Sequence, residues 1–346
     1  MNQNFIYCAI FFISVIFSSC HRNSCCGVTN DGKWVKRADF PGVARSESSS
    51  FVVGNYAYVG TGVDNNFNRL NDLWQYDPVK NSWEQEANLP GVARSSAVGL
   101  TVSNYGYLGT GYTGTNILKD FWQYNPENNT WTQKSNLAGS ERYEAVAFGI
   151  QNLGYIATGF DTSSLRDCWE YNPDADTWKQ KSDLKGNARW SAVAFVHNQF
   201  GYIVTGLTDN GSMIGDFWKF DPSQPDSNAW TQLRNIYNSD SAPYDDIYTT
   251  IMRANATAFV ILNVKSEGGG DFAYLTTGIN GSLNKWTWEY NFANDLWIPK
   301  TQFVGDARQG GVSFSVLNRG FTGGGENESG ALEDFWEFDP NQPNNR

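Results

Sequence analysis

Histidine, methionine and basic residues are scarce in this chain. Its 346 residues include two histidines and three methionines, and 25 Lys and Arg stand against 36 Asp and Glu, for a formal net charge of −11. An acidic surface repels phosphate backbones, so we expect no nucleic-acid partner. With only His21 and His197 present, neither a histidine-based metal site nor a Ser-His-Asp triad can be assembled. We therefore expect no metal and no cofactor.

Long apolar runs are absent after residue 20. The apolar run at residues 5–17 is short for a bilayer span and has the length of a signal-peptide core. Ser18-Ser19-Cys20, which follows, resembles the lipobox of bacterial lipoproteins. The prediction is a signal peptide at 1–19, a lipidated linker at 20–32, and export to the cell envelope with Cys20 as the lipid anchor, on either side of the outer membrane. Plain secretion and a retained anchor are the alternatives.

Cysteines are few as well, five in all. Cys25 and Cys26 lie in the linker and are too few for a metal site without histidine partners. Cys168 occupies a position where the sister repeats described next have Leu or Phe, which predicts a small buried hydrophobic side chain.

Tryptophan and glycine, in contrast, are abundant, and they recur in order. The chain has 14 Trp and 34 Gly. Each unit contains an arginine, a later glycine, a first Trp in a Trp-x-Tyr/Phe-Asp/Asn-Pro-like segment, and in most units a second Trp. The arginines are Arg45, Arg94, Arg142, Arg189, Arg253 and Arg308. The glycines are Gly62, Gly111, Gly159, Gly206, Gly278 and Gly323, and the first tryptophans are Trp74, Trp122, Trp169, Trp218, Trp288 and Trp336. The early units repeat every 47 to 49 residues, a period typical of propeller blades.

Each unit reads as four short strands, a to d, joined by Asn, Gly and Pro turns. The last unit stops after Asp339-Pro340 without a second Trp, while a spare Trp34 precedes the first unit. Trp34 lies 11 residues before Arg45, the same distance as from Trp83 to Arg94. We therefore predict a six-bladed ring over residues 33–346, in which residues 33–37 form strand d of the last blade.

The repeat resembles the kelch motif over residues 33–340. The matching features are the arginine that opens strand a, the glycine that ends strand b, and an aspartate two residues before the first Trp, at Asp72, Asp120, Asp167, Asp216 and Asp334. Unit five departs, with Trp286 in place of the aspartate, and the family's Gly-Gly pair is mostly Thr-Gly here. The resemblance implies an all-β six-bladed kelch-type propeller with four antiparallel strands per blade.

In such a blade, strand a is innermost, and its first residues lie at the mouth of the central channel. All six arginines are therefore candidates for binding a carboxylate, a sulfate or an acidic loop. A structural role is the alternative, in which the arginines pair with the aspartates of their own blades.

The residue two positions after each arginine varies more than the rest of the repeat. These residues are Glu47, Ser96, Glu144, Ser191, Asn255 and Gly310, and Tyr143 and Trp190 precede two of them. Aromatic side chains beside carboxylates, hydroxyls and amides suit a sugar.

The connection into unit five is 12 residues longer than the others and includes Tyr244, Asp245 and Tyr248. Residues 237–248 could cover the mouth and contribute Tyr244 and Asp245 to a ligand site, or they could be a surface insertion. Both interpretations remain open.

These features favour a monomeric, non-catalytic envelope protein that binds a carbohydrate or a protein at its arginine-rimmed mouth. The alternative is a cofactor-free sugar-acid mutarotase or epimerase, similar to the exported six-bladed kelch enzymes that act on sialic acid, with Glu47 and Glu144 as the acid–base pair. A purely structural docking disc is a third possibility. The kelch enzyme galactose oxidase needs two histidines at its copper, whereas the propeller segment here has only His197, so that activity is not expected.

Overall fold

The computed structural model describes residues 32–239, 243–267 and 269–343. Six four-stranded antiparallel sheets form the blades of one ring, as predicted. The first strand of the chain, β1, is Lys33–Lys36. Blade one has β2 Ser49–Val53, β3 Tyr56–Gly60, β4 Leu73–Asp77 and β5 Ser82–Glu86. Blade two has β6 Val98–Val102, β7 Tyr105–Gly109, β8 Phe121–Asn125 and β9 Thr130–Lys134. Blade three has β10 Val146–Ile150, β11 Leu153–Ala157, β12 Cys168–Asn172 and β13 Thr177–Lys181.

The remaining blades follow the same order. Blade four has β14 Val193–His197, β15 Phe200–Val204, β16 Phe217–Phe220 and β17 Trp230–Gln232. Blade five has β18 Thr257–Ile261, β19 Phe272–Thr276, β22 Thr287–Asn291 and β23 Leu296–Lys300, with a small hairpin of β20 Ile279–Asn280 and β21 Ser282–Leu283. Blade six has β24 Val312–Val316, β25 Arg319–Gly323 and β28 Phe335–Asp339, with a hairpin of β26 Glu326–Asn327 and β27 Gly330–Ala331. Short 3-10 helices cover Asp226–Asn228, Pro243–Ile247 and Lys265–Glu267.

Closure of the ring uses both ends of the propeller. Strand β1 pairs antiparallel with β28, and Trp34 lies opposite Phe338. The predicted strand at residues 33–37 is thus confirmed as the outer strand of blade six. Because β1 comes from the start of the propeller and β28 from its end, their pairing joins the two ends of the ring and completes the four strands of blade six.

The core lies between neighbouring blades. Phe51 of blade one, for example, packs against Tyr124 and Trp131 of blade two, with ring centroids 6.0 and 6.5 Å apart. Cys168 is fully buried in the same kind of position, which confirms its predicted role as a small hydrophobic side chain. Burial raises the pKa of its thiol, so the group is inert at neutral pH.

In five of the six blades, the second Trp forms a hydrogen bond to the preceding blade. Trp131 Nε1 donates to the carbonyl of Ala87 over 2.8 Å. Equivalent bonds join Trp83 to Ala38, Trp178 to Ser135, Trp230 to Ser182 and Trp34 to Thr301. Trp297, which follows the long insertion, is the exception among the described residues, because its Nε1 is buried without a partner.

Candidate functional site

The six arginines are buried, with at most 2% of their surface exposed. Five of them pair with the aspartate two residues before the first Trp, which confirms the structural role considered from the sequence. The pairs are Arg45–Asp72, Arg94–Asp120, Arg142–Asp167, Arg189–Asp216 and Arg308–Asp334. In four pairs the second guanidinium nitrogen also reaches the second carboxylate oxygen, over 2.7 to 2.8 Å. The same carboxylates accept from the first Trp, as from Trp122 Nε1 to Asp120 over 2.7 Å.

Blade five has no aspartate for its arginine. Arg253 is fully buried and donates to the backbone carbonyls of Thr277 (2.6 Å), Trp286 (2.9 Å) and Ile251 (3.1 Å), among others, and to the Asn284 side chain (3.1 Å). Because burial is not offset by a carboxylate, the pKa of Arg253 falls to about 9.

The arginines do not rim the channel mouth, which corrects the expectation that Arg45, Arg94, Arg142, Arg189, Arg253 and Arg308 surround it. Their guanidinium groups turn into the blades because the aspartates, or in blade five the carbonyls, are held there. The pocket at the mouth is lined instead by the residues two positions later and their immediate neighbours.

A ring of backbone hydrogen bonds runs around the mouth. At the position two residues after each arginine, the amide donates to the carbonyl of the equivalent residue in the preceding blade, over 2.7 to 3.2 Å. The bonds run from Glu47 to Gly310, Ser96 to Glu47, Glu144 to Ser96, Ser191 to Glu144, Asn255 to Ser191 and Gly310 to Asn255. All six residues have positive φ, from 49° to 63°. That conformation points one amide and one carbonyl along the ring in every blade.

A second ring lies beside the first. Each glycine after strand b donates its amide to the carbonyl of the next blade's arginine, over 2.7 to 3.0 Å. These bonds run from Gly62 to Arg94, Gly111 to Arg142, Gly159 to Arg189, Gly206 to Arg253, Gly278 to Arg308 and Gly325 to Arg45. The glycine of blade six is therefore Gly325, not Gly323 as the sequence alignment had it. Gly324-Gly325 takes the place of Thr-Gly, and Gly325 lies 17 residues after Arg308, which is the spacing from arginine to glycine in blades one to four.

The mouth pocket has a volume of about 110 Å³ and brings together all six variable residues predicted as site candidates. Ser96 Oγ donates to Glu47 Oε2 over 2.6 Å, and Ser191 Oγ donates to Glu144 Oε2 in the same way. Blades one to four thus present two Glu–Ser pairs, and blades five and six present Asn255 and Gly310.

Glu144 is the titratable group at the mouth with a strongly shifted pKa. Burial raises the pKa of its carboxyl, the negative charge of Glu47 raises it further, and the hydrogen bond from Ser191 opposes both, leaving a value of about 7. A carboxyl that titrates near neutrality can carry or release a proton at physiological pH.

The channel widens away from the mouth. Small side chains such as Ala97, Ala145 and Ala192 line a middle segment of about 270 Å³. The far end, about 520 Å³, is mainly apolar and includes His197 in its lining. Nε2 of His197 lies 2.8 Å from Asp271, and its ring stacks on Phe292 at 3.8 Å.

An aromatic arc borders the mouth on blades two to four. It consists of Tyr112, Tyr143, Phe160 and Trp190, all half-buried, with successive ring centroids 5.4, 5.7 and 5.5 Å apart. Tyr143 and Trp190 were candidates from the sequence, and Tyr112 and Phe160 were not. Their position in the repeat could have identified them. Each directly follows the glycine after strand b and forms an antiparallel bridge with the residue after the arginine, Tyr112 with Ser95 and Phe160 with Tyr143.

The long connection before blade five packs partly into that blade. Tyr248 is buried, packs against Trp288 with centroids 6.0 Å apart, and accepts a hydrogen bond from the Trp297 amide. Asp245 is buried as well, and Tyr244 lies in the 3-10 helix Pro243–Ile247, its side chain outside the described part. No described residue of 237–248 lines the mouth pocket, so ligand binding by Tyr244 and Asp245 stays a prediction.

Cys20, Cys25, Cys26 and His21 lie outside the described residues, so the predicted lipid anchor has no structural counterpart here. In the described ranges, no helix is long and apolar enough to cross a bilayer. The same ranges contain no group of three or more His, Cys, Asp or Glu side chains placed to hold a metal ion.

Comparison with known proteins agrees with this architecture. A sequence model of the kelch motif matches residues 44–90 and 111–138. No curated protein matches the chain in sequence. A solved structure described as "Structure of YjhT" superposes with a TM-score of 0.68 at 16% identity, covering 86% of this chain and 95% of that one. By its motifs and its fold, the chain is a six-bladed β-propeller containing kelch motifs.

Proposed function

We propose that this propeller is a non-catalytic binding module that holds a carbohydrate at its channel mouth. The observation that carries the proposal is the convergence of Glu47, Ser96, Glu144, Ser191 and Asn255 on one pocket beside the aromatic arc. Acceptors and hydroxyls in the pocket suit sugar hydroxyls, and the half-buried rings suit the apolar face of a pyranose.

A glycan-array screen of the purified protein tests the proposal. We expect a hit that Trp190→Ala and Tyr143→Ala both weaken. Tyr56→Ala is the matched control, because Tyr56 is a part-exposed aromatic at the start of β3, at the opposite end of its blade. Failure to bind any glycan would favour a protein ligand or a structural disc instead. A hit that is insensitive to both arc variants would place the carbohydrate elsewhere.

A second candidate function is sugar mutarotation or epimerisation at the same mouth. The pKa of Glu144 is raised to about 7, and Glu47 lies in the same pocket, so the two carboxyl groups could act as an acid–base pair. The pairing of the arginines with aspartates speaks against a sugar acid, whose carboxylate would need a cationic partner. NMR measurement of anomer exchange in sialic acid and in neutral aldoses, with and without the protein, tests for mutarotase activity. Exchange that the protein does not accelerate, or that Glu144→Gln leaves intact, would rule the activity out at this site.

Export and lipid anchoring through Cys20 complete the proposal. They are supported by the apolar run at residues 5–17 and the Ser-Ser-Cys sequence that follows it. Metabolic labelling with a fatty-acid analogue should mark the wild-type protein but not Cys20→Ala. Cys168→Ala serves as the control, since that thiol is buried.

A further inference from the structure

The mouth pocket has more hydrogen-bond acceptors than donors. The hydroxyl groups of Ser96 and Ser191 already donate their hydrogen bonds to Glu47 and Glu144, respectively. The other oxygen of each carboxylate, and the Asn255 side-chain amide, make no hydrogen bond to any described residue, and none is sealed from solvent. An ammonium group has three donors and no acceptor, so it matches such a pocket better than a neutral hydroxyl does.

The charged side chains that line the mouth pocket are both carboxylates, Glu47 and Glu144. No lysine or arginine is among the described residues that line the pocket. A third carboxylate, Glu326, lies next to the pocket and is bonded to Ser46 (3.2 Å) and Gln309 (3.0 Å). An anionic ligand would lose its hydration beside these carboxylates without gaining a cationic partner. A cationic ligand would instead gain the carboxylates as anionic partners.

The aromatic arc already holds a cationic group from the chain itself. The Arg69 guanidinium lies over the Tyr112 ring, 5.4 Å from its centroid, at the end of the arc on the blade-one side. Aromatic faces attract cations as well as the apolar faces of sugars. The aromatic arc and the carboxylates therefore both favour a positively charged ligand.

The size of the pocket limits what enters it. Its volume of about 110 Å³ is below the roughly 300–1,000 Å³ of pockets that enclose a whole drug-sized ligand. A small charged substituent can enter between Glu47 and Glu144 while the ring that carries it stays outside, against Tyr143 and Trp190.

We infer that the mouth selects a protonated amine, and that the carbohydrate it binds is an amino sugar with a free ammonium group. The inference rests on the proposed carbohydrate-binding function. The ammonium lies between Glu47 and Glu144 and accepts no hydrogen bond, and the pyranose ring packs on the arc.

Three sugars that differ only at carbon 2 test this on the full chain. Calorimetric titration with glucosamine, glucose and N-acetylglucosamine compares an ammonium, a hydroxyl and a neutral amide on one ring. At a pH where the amine is protonated, we expect glucosamine to bind at least about tenfold more tightly than the other two, an advantage that shrinks as salt is raised.

Variants of the two glutamates test whether they cause the preference for glucosamine. Glu47→Gln and Glu144→Gln should each remove most of the preference for glucosamine, and either one suffices if the other fails to fold. The control Glu127→Gln removes an equal charge from an exposed turn and should change nothing.

The outcomes separate the inference from the function it rests on. Equal binding of all three sugars, or tighter binding of a sugar acid, would overturn the ammonium inference and leave carbohydrate binding standing. Binding of methylamine that depends on Glu47 and Glu144, with no sugar bound, would support the selection of a protonated amine and contradict the carbohydrate function. Binding of none of these probes would contradict both.

Discussion

The amide of Glu47 donates to the carbonyl of Gly310 over 2.7 Å, across the junction between blades one and six. This bond completes the ring of six at the mouth, so the site residues are positioned by a closed backbone circuit. Because every member has positive φ, the ring depends on backbone conformation and tolerates Glu, Ser, Asn or Gly as the side chain. The fold thus fixes where these side chains lie and leaves their chemistry variable.

Titration of Glu144 should respond to its two neighbours in opposite directions. Its pKa of about 7 should fall in Glu47→Gln, which removes a repelling charge, and rise in Ser191→Ala, which removes a stabilising hydrogen bond. Carbon-13 NMR of the side-chain carboxyl measures both shifts. Glu127→Gln, on an exposed turn, should leave the titration unchanged, and shifts in the same direction in both mouth variants would contradict the assignment.

The raised pKa of Glu144 also has a consequence for stability. The folded pKa of about 7 exceeds the unfolded value near 4.3, so the group's contribution to stability is fully present below about pH 4 and is lost as pH rises through 7. Glu144→Gln should therefore unfold at higher denaturant than the wild type at pH 8, with the difference vanishing toward pH 4. An equal difference at both pH values would show that ionisation is not the cause.

The arginine–aspartate pairs predict acid sensitivity. Burial alone would raise the pKa of Asp72, Asp120, Asp167 and Asp334, but the hydrogen bonds and charge of the paired arginines outweigh it, and all four pKa values lie below normal. Their contribution to stability is thus present above the unfolded value of about 3.9 and is lost as pH falls through the lower folded values. Urea unfolding between pH 7 and pH 2.5 should show a steep loss below about pH 4.

Asp120→Asn provides the check on this explanation. It leaves the buried Arg94 without a carboxylate and should cost about 3–5 kcal/mol at pH 7. Because the variant has one pair fewer to protonate, its stability should fall less between pH 7 and pH 2.5 than that of the wild type. A parallel decline in both proteins would mean that other groups cause the acid loss.

Trp230 and Trp297 form a matched pair for the inter-blade bond. Both are second tryptophans and both are buried, but only Trp230 has a partner for Nε1, the carbonyl of Ser182 at 2.9 Å. Phenylalanine at either position loses similar packing, whereas Trp230→Phe also loses a hydrogen bond. We expect Trp230→Phe to be more destabilising by about 1 kcal/mol in urea unfolding. Equal losses would show that the bond contributes nothing net.

Thr110 is held at φ 60°, which is strained for a β-branched residue, and its buried hydroxyl has no hydrogen-bond partner among the described residues. Blade six has Gly324 at the equivalent position. Thr110→Gly should therefore leave stability unchanged or raise it by up to about 1 kcal/mol, because relief of the left-handed strain exceeds the entropy lost on ordering glycine. The control Thr132→Gly, on the exposed extended strand β9, should lose about 0.5–1 kcal/mol. Thermal unfolding compares the two, and similar losses would mean that Thr110 is not strained.

The number of blades, their four strands and the closing role of Trp34 could be predicted because each depends on a local pattern that recurs at fixed spacing. The convergence of Glu47, Ser96, Glu144, Ser191, Asn255 and Gly310 could also be predicted, since innermost strands must meet at the axis. Blade six was misaligned by two residues because Gly323, Gly324 and Gly325 all fit the pattern, and only the hydrogen bond from Gly325 to Arg45 distinguishes them.

The repeat in the sequence is enough to imply a closed ring of six blades, because a period of 47 to 49 residues with regular turns and alternating aromatic residues has few other compact solutions. It did not determine which polar side chains remain available to a ligand. Arg142 and Glu144 are two residues apart, yet one turns into the blade to Asp167 and the other lines the mouth. That choice depends on partners 25 residues or a whole blade away, which only the tertiary structure brings into contact.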